Sequence, residues 1–199
     1  MSDQSNTLHR SDRQEFAFRL LLETVDGEIA ERPGLAETPA RAAAAWREKT
    51  SGYRVDTENL FKTFDTELNS VRGMVVVRDI EIESMCEHHL ERIWGYAHIG
   101  YVPNSRVLGL SKFHRVVDAL ARRLVVQERL TASIADTISR LLVPQGVGVV
   151  IEARHACMEA RGIKRRGSVT MTSELRGCFY SDATTRAEFL SLARTTNTF

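Results

Sequence analysis

The hydrophobic rhythm of the chain changes twice, and those two changes leave few folds open. From Gly73 onward, Met74-Val75-Val76-Val77, and then Ile80 and Ile82 alternating with Asp79, Glu81 and Glu83, follow the two-residue period of a strand. A second strand is expected over about Ile93–Val102, ended by the turn Pro103-Asn104-Ser105. The period then lengthens. Ser111 is expected to cap a helix with the apolar stripe Phe113, Val116, Val117, Leu120 and Leu124, and a second helix follows at once over about Gln127–Leu142. It stops before Pro144-Gln145-Gly146, after which Val147 to Met158 and Val169 to Leu175 return to strand, with a closing helix over about Thr185–Ala193. Strand, strand, helix, helix, strand, strand is the order of an α+β domain in which two helices cover one face of an antiparallel sheet.

Ahead of this domain the pattern is helical. Phe16, Phe18, Leu20, Leu21, Leu22 and Val25 lie in a charged surround that reads as an amphipathic helix up to about Ile29, ended by Arg32-Pro33-Gly34. Thr38-Pro39 supplies an N-cap and a first-turn proline for a second helix, alanine-rich to Arg47 and stopping at Gly52. The expected organisation is a flexible polar N terminus over 1–13, a helical segment over 14–55, and the sheet domain over 56–199.

A chain of 199 residues with a formal net charge of +1 has no global bias toward nucleic acid or membrane, so an anionic ligand has to be met by a local basic cluster. No stretch is apolar enough to span a bilayer and residues 1–13 lack the apolar segment of a signal peptide, which gives a cytoplasmic expectation. Cys86, Cys157 and Cys178 are odd in number and widely spaced, which suits reduced thiols or metal ligands better than a disulfide framework.

Cys86-Glu87-His88-His89 is the densest reactive cluster, placed just past the expected end of the first strand. Cys86 and His89 are spaced to grip one ion, and a thiolate with an imidazole is what borderline-soft zinc prefers, but a third ligand has to come from elsewhere. His155-Ala156-Cys157 is the obvious source: on a strand, residues two apart share a face, so His155 and Cys157 are expected to project together. Cys86, His89 and Cys157 would form a Cys₂His site with a fourth position for water, the catalytic arrangement of zinc. The plainer alternative makes the cysteines small core residues and the histidines ordinary hydrogen-bonded ones. For Cys178, with no ligand type beside it, that alternative stands.

Gly109-Leu110-Ser111-Lys112 with Arg115 places cations in the expected first turn of a helix, where the dipole disfavours them unless an anion is bound, so backbone N–H groups and cations together suggest a phosphate site. Arg161-Gly162-Ile163-Lys164-Arg165-Arg166 adds positive charge close to Cys157, although its last three residues read equally well as a solvated run. Glu128, after Gln127 at the start of the next helix, is by itself only a first-turn acid. Beside a metal and an anion site, its carboxylate can accept two hydrogen bonds from the N1–H and 2-amino edge of guanine. No GxxxxGK[ST] loop or complete dinucleotide fingerprint is present.

With SMCEHHL, IGYVPNSRVLGLSK, RRLVVQERLT, HACMEARGI and TRAEFL, the chain resembles the GTP cyclohydrolase I family from about Gly34 to Ala193. The resemblance implies the tunnelling fold, in which subunit sheets join into a barrel, and a homodecamer with active sites at subunit interfaces. It implies zinc held by Cys86, His89 and Cys157, proton transfer by His88, and a second active-site histidine at His155. It also implies a guanine-reading pair at Gln127 and Glu128 and triphosphate anchors at Ser111, Lys112, Arg115 and Arg161. The implied reaction is hydrolytic opening of the GTP imidazole ring, loss of formate and reclosure to 7,8-dihydroneopterin triphosphate, with zinc the only cofactor. The chain departs from the common family pattern at Glu83, at Val125 and in Arg92-Ile93-Trp94, and aligns loosely over Asn69 to Gly73. Two rivals share the zinc chemistry: a nucleobase deaminase, whose PCxxC element is absent, and a zinc-containing guanine-nucleotide-binding homologue without turnover.

Overall fold

The computed structural model describes residues 9–25, 32–60, 63–65 and 73–194, and the chain divides into two compact units between Thr50 and Ser51.

The first unit is a pair of helices, α1 (Arg10–Glu23) and α2 (Thr38–Lys49). Phe18 meets Trp46 edge to face at 6.5 Å and Arg47 reaches Gln14. Helix α1 ends earlier than the expected Ile29: Thr24 caps it by donating its hydroxyl to the Leu21 carbonyl, and residues 26–29 lie outside the described ones. Thr38 is the first residue of α2 and Glu37 occupies the N-cap, one position before the cap expected from the sequence. Phe16, Leu20 and Leu21 are exposed on α1, and Val25 is exposed just beyond it.

The second unit is a mixed α+β domain around a five-stranded sheet of order β5-β2-β3-β6-β7. Its strands are β2 (Val75–Cys86), β3 (Arg92–Val102), β5 (Leu124–Val125), β6 (Gly146–His155) and β7 (Thr170–Gly177), antiparallel except for the parallel pair β2–β5. A separate two-stranded ladder joins β1 (Thr63–Asp65) to β4 (Arg106–Leu108). Helices α3 (Leu110–Ala121) and α4 (Gln127–Leu142) lay Phe113, Val116, Val117, Ile134 and Ile138 on Ile80, Ile82, Ile99, Val149 and Ile151.

In β2 the inward positions change parity, because Val75 and Val77 face this core and so do Ile80 and Ile82. Only an extra residue can shift a two-residue period in that way, and the ladder is irregular between Val77 and Ile80, where Asp79 takes a φ of 55°.

The sheet is covered on both faces, not on one as the sequence suggests. Helices α6 (Cys178–Ser181) and α7 (Ala183–Arg194) bring Phe179 and Phe189 onto the face of Val150. They seat on the paired Gly100 and Gly148, where a Cβ would stand 2.6 Å from the Phe189 ring in each case. Leu124, expected on the α3 stripe, belongs instead to β5, and α3 is capped by Gly109, with Ser111 one residue inside it.

Candidate metal centre and active site

Cys86 is the last residue of β2, and the chain beyond it closes one helical turn: the Leu90 N–H donates to the Cys86 carbonyl at 2.9 Å, and the Cys86 N–H to the Glu91 carbonyl at 2.8 Å. Residues three apart on such a turn share a side. Cys86 Sγ therefore lies 3.7 Å from His89 Nδ1. Strand β5 holds the other flank, pairing Cys86 with Val125 in parallel.

Cys157 arrives by a different route from the one the strand period suggests. Strand β6 stops at His155, and Ala156–Glu159 form a single turn, α5, whose closing bond runs from the Ala160 N–H to the Ala156 carbonyl at 2.8 Å. His155 and Cys157 thus do not share a strand face. Cys157 is turned toward Cys86 and His89, and ligand atoms of the three residues lie within 4.8 Å of one another.

This donor set suits zinc. A tetrahedral ion with bonds of about 2.3 Å to sulfur and about 2.0 Å to nitrogen separates neighbouring donors by roughly 3.5–3.8 Å, and the Cys86–His89 spacing of 3.7 Å falls in that range. Burial pushes the Cys157 thiol above its ordinary value, the adjacent Cys86 adds to the rise, and Arg161 opposes it. Cys178, half-buried with its thiol raised by burial, stands outside the group.

His88 sits in the turn beside the group, exposed, with Nε2 3.8 Å from Glu87, which also accepts from Arg129 at 3.2 Å. His155 is half-buried. Burial lowers its pKa and the charge of Glu128 works against that.

Gln127 and Glu128, adjacent at the start of α4, part company. Glu128 is exposed, whereas Gln127 is 2% exposed with its amide engaged by the sheet and by His155 at 2.8 Å. Ser111 and Lys112 lie in the first turn of α3 and Arg115 one turn on, not all in the first turn as the sequence suggests. Lys112, Arg115 and Arg161 make no side-chain hydrogen bond or ion pair with another described residue, so three cations are available to an anion.

Thr131 and Thr172, which hold Gln127, were not foreseen from sequence. The signal available for Thr172 was its position in an alternating Thr-Met-Thr-Ser strand opposite Ile151.

A cavity of about 880 Å³ opens on the other side of the sheet, bordered by Asp79, Tyr96, His98, Glu152, Ser173 and Arg194. None of the three converging donors borders it, and it is the donors that mark the chemistry.

An α+β domain that brings two thiols and an imidazole together, with the charge of Arg161 felt at one of the thiols, is an enzyme scaffold, and comparison with known proteins identifies its kind. The chain belongs to the GTP cyclohydrolase I family, whose sequence model matches residues 14–194. The GTP cyclohydrolase 1 of Leptospira biflexa is 51% identical over 169 residues, spanning 85% of this chain and 92% of the relative. That of Brevibacillus brevis is 48% identical over 184 residues, spanning 92% and 97%. That of Chlorobium phaeovibrioides is 52% identical over 175 residues, spanning 87% and 77%. No helix among the described residues is long and apolar enough to cross a membrane.

Proposed function

We propose that this enzyme opens the imidazole ring of GTP hydrolytically, releases formate and recloses the product to 7,8-dihydroneopterin triphosphate, with one zinc ion held by Cys86, His89 and Cys157. The observation that carries the proposal is the convergence of those donors within 4.8 Å in a chain of this family. When bound, zinc supplies the Lewis acidity that makes water a competent nucleophile near neutral pH, and three protein ligands are the number typical of a catalytic site.

The remaining roles fall to the chain's own side chains. His88, exposed beside the donors and committed to none of them, moves protons at the imidazole ring of the substrate. His155 is the second proton-handling group. Glu128 accepts from the N1–H and 2-amino group of guanine. Gln127 contributes its backbone at the helix start, where N–H groups have no intrahelical partner, while its side chain holds His155. Ser111, Lys112, Arg115 and Arg161 take the triphosphate.

The tunnelling fold and a homodecamer with active sites at subunit interfaces belong to the same proposal. Two observations support assembly: β7 pairs with β6 alone among the described strands, leaving an open sheet edge, and α1 exposes Phe16, Leu20 and Leu21. Light scattering coupled to size-exclusion chromatography measures the subunit number.

Incubation of the zinc-loaded protein with GTP, followed by assay of formate and of a fluorescent pterin after oxidation, tests the activity. Zinc and GTP binding without formate would instead make the chain a binding homologue without turnover.

A further inference from the structure

The amide of Gln127 is buried, and its surroundings leave it one orientation. Its Nε2 lies 3.0 Å from the Thr170 carbonyl, 3.2 Å from the Ile151 carbonyl and 3.1 Å from Thr172 Oγ1. Backbone carbonyls only accept, so the reversed amide would set its oxygen against two other carbonyl oxygens in a buried site. The NH₂ group therefore faces the sheet and Oε1 faces His155 Nε2, at 2.8 Å.

An amide oxygen also only accepts, so the proton in that contact belongs to the ring. We infer that the buried amide fixes His155 as the Nε2–H tautomer, with Nδ1 the unprotonated atom of the ring, and that Thr172 is a positioning residue that steadies the amide in the orientation the two backbone carbonyls select. The inference rests on the reading of His155 as an active-site histidine.

The hydroxyls complete the proton count. Thr131 Oγ1 lies 2.8 Å from the Gln127 carbonyl, which only accepts, so Thr131 spends its proton there. Thr172 Oγ1, 2.6 Å from Thr131 Oγ1, then has to donate to it, which leaves the Thr172 oxygen to accept from Gln127 Nε2; the amide has two hydrogens for three acceptors, so one of them is shared. The bonds close into a loop running in one direction, from Gln127 to Thr172 to Thr131 and back to Gln127, and each bond polarises the next. No described residue makes a hydrogen bond to His155 Nδ1.

The test combines ring-¹⁵N NMR of histidine-labelled holoenzyme with kinetics of Thr172→Val and Thr172→Ser, the His155 signal being assigned by its loss in His155→Asn. In the parent, Nε2 is expected to show the protonated, pyrrole-type shift and Nδ1 the unprotonated, pyridine-type shift. Thr172→Val removes the hydroxyl at nearly constant volume: zinc content and KM for GTP should hold, kcat should fall about tenfold, the scale of one net hydrogen bond, and the two ring shifts should move toward each other. Thr172→Ser should restore both. A parent spectrum with the proton on Nδ1 overturns the inference, and requires no variant to fold. Parent-like kcat and shifts in Thr172→Val overturn the role of Thr172. If His155→Asn releases formate at the parental rate, the reading of His155 itself fails, a result separable from a wrong tautomer at a histidine that turnover requires.

Discussion

Arg154 and Glu159 are joined by two hydrogen bonds of 2.7 Å, Nε to Oε1 and Nη2 to Oε2, across the junction where β6 becomes α5. The Arg154 guanidinium also lies 5.2 Å from the Trp94 ring centroid, Arg92 lies 5.0 Å from the same ring, and Arg92 is paired with Glu83. Glu83, Arg92 and Trp94 form one network with the segment that carries Cys157, and so brace the turn that delivers a proposed ligand.

That brace has a pH signature. Its hydrogen bonds to Arg154 hold the Glu159 carboxyl below the ordinary glutamate value of about 4.3. A carboxyl whose pKa is depressed by folding contributes stability above its unfolded pKa and loses that contribution as pH falls through the folded one. Glu159→Gln should therefore melt below the parent at pH 7, with a gap that closes as the pH drops beneath the parent's Glu159 pKa. It should also surrender zinc to a chelator faster. Thermal melts across pH with a chelator time course check both; a gap that is constant with pH would separate Glu159 from the effect.

Cys86→Ser and Cys157→Ser should each lose stoichiometric zinc and turnover together, because either leaves only two good ligands. Elemental analysis beside the formate assay decides this. Full zinc with normal activity in either variant removes the metal assignment.

The neighbouring histidines should separate cleanly. His89 joins the three-donor group and His88 does not, so His89→Ala should lose zinc, whereas His88→Ala should keep zinc and GTP binding and lose formate release. Zinc loss in His88→Ala would mean the two roles are reversed.

Where the sequence could be read, the controlling forces were local. Helix α4 runs over Gln127–Leu142 and β3 over Arg92–Val102, at or within one residue of their expected bounds, because their apolar periods are long and a proline segment closes each. Two features needed information from across the chain, and a third turned on a local competition between strand and helix. Leu124 and Val125 are drawn into β5 by pairing with Met85 and Cys86, which no helical period can reveal. The hydrogen-bond loop ties Gln127 and Thr131, one turn apart on α4, to Thr172 on a strand that no local pattern connects to them. Cys157 is the instructive case: the strand rule placed it with His155, yet Ala156, Met158 and Glu159 are good helix formers, and one turn of helix delivers the thiol instead. The grouping of Cys86, His89 and Cys157 was legible because zinc chemistry constrains residue types, even where the backbone path was not.

Helix α4 ends on a residue poorly suited to its conformation. Val143 has φ 52° and ψ 51°, is exposed, and donates its N–H to the Ser139 carbonyl at 3.1 Å. A β-branched residue in that left-handed region costs roughly 1–2 kcal/mol, and glycine is the usual occupant. Val143→Gly should raise stability by about 1 kcal/mol with activity unchanged, measured by denaturant titration. A loss of stability would show that the left-handed cap is not adopted.

Substrate selection should divide between the exposed acid at the start of α4 and the cations on α3 and beyond α5. Glu128→Gln replaces an all-acceptor carboxylate with an amide whose NH₂ cannot accept from the base, so kcat/KM for GTP should fall by about 2 kcal/mol or more, roughly thirtyfold. ATP should be a poor substrate throughout, because it has no 2-amino group to donate and presents an amine where guanine has O6. Lys112→Ala should act on the other end of the molecule, since Lys112 makes no ion pair with a described residue and its proposed partner is phosphate charge. It should weaken every guanine nucleoside triphosphate and narrow the preference for GTP over guanosine, leaving the discrimination against ATP in place. Measuring kcat/KM for GTP, ATP and guanosine in the parent and both variants tests the division. If Glu128→Gln turns over GTP at the parental rate, the glutamate serves only the helix dipole, and base selection has to come from elsewhere in the site.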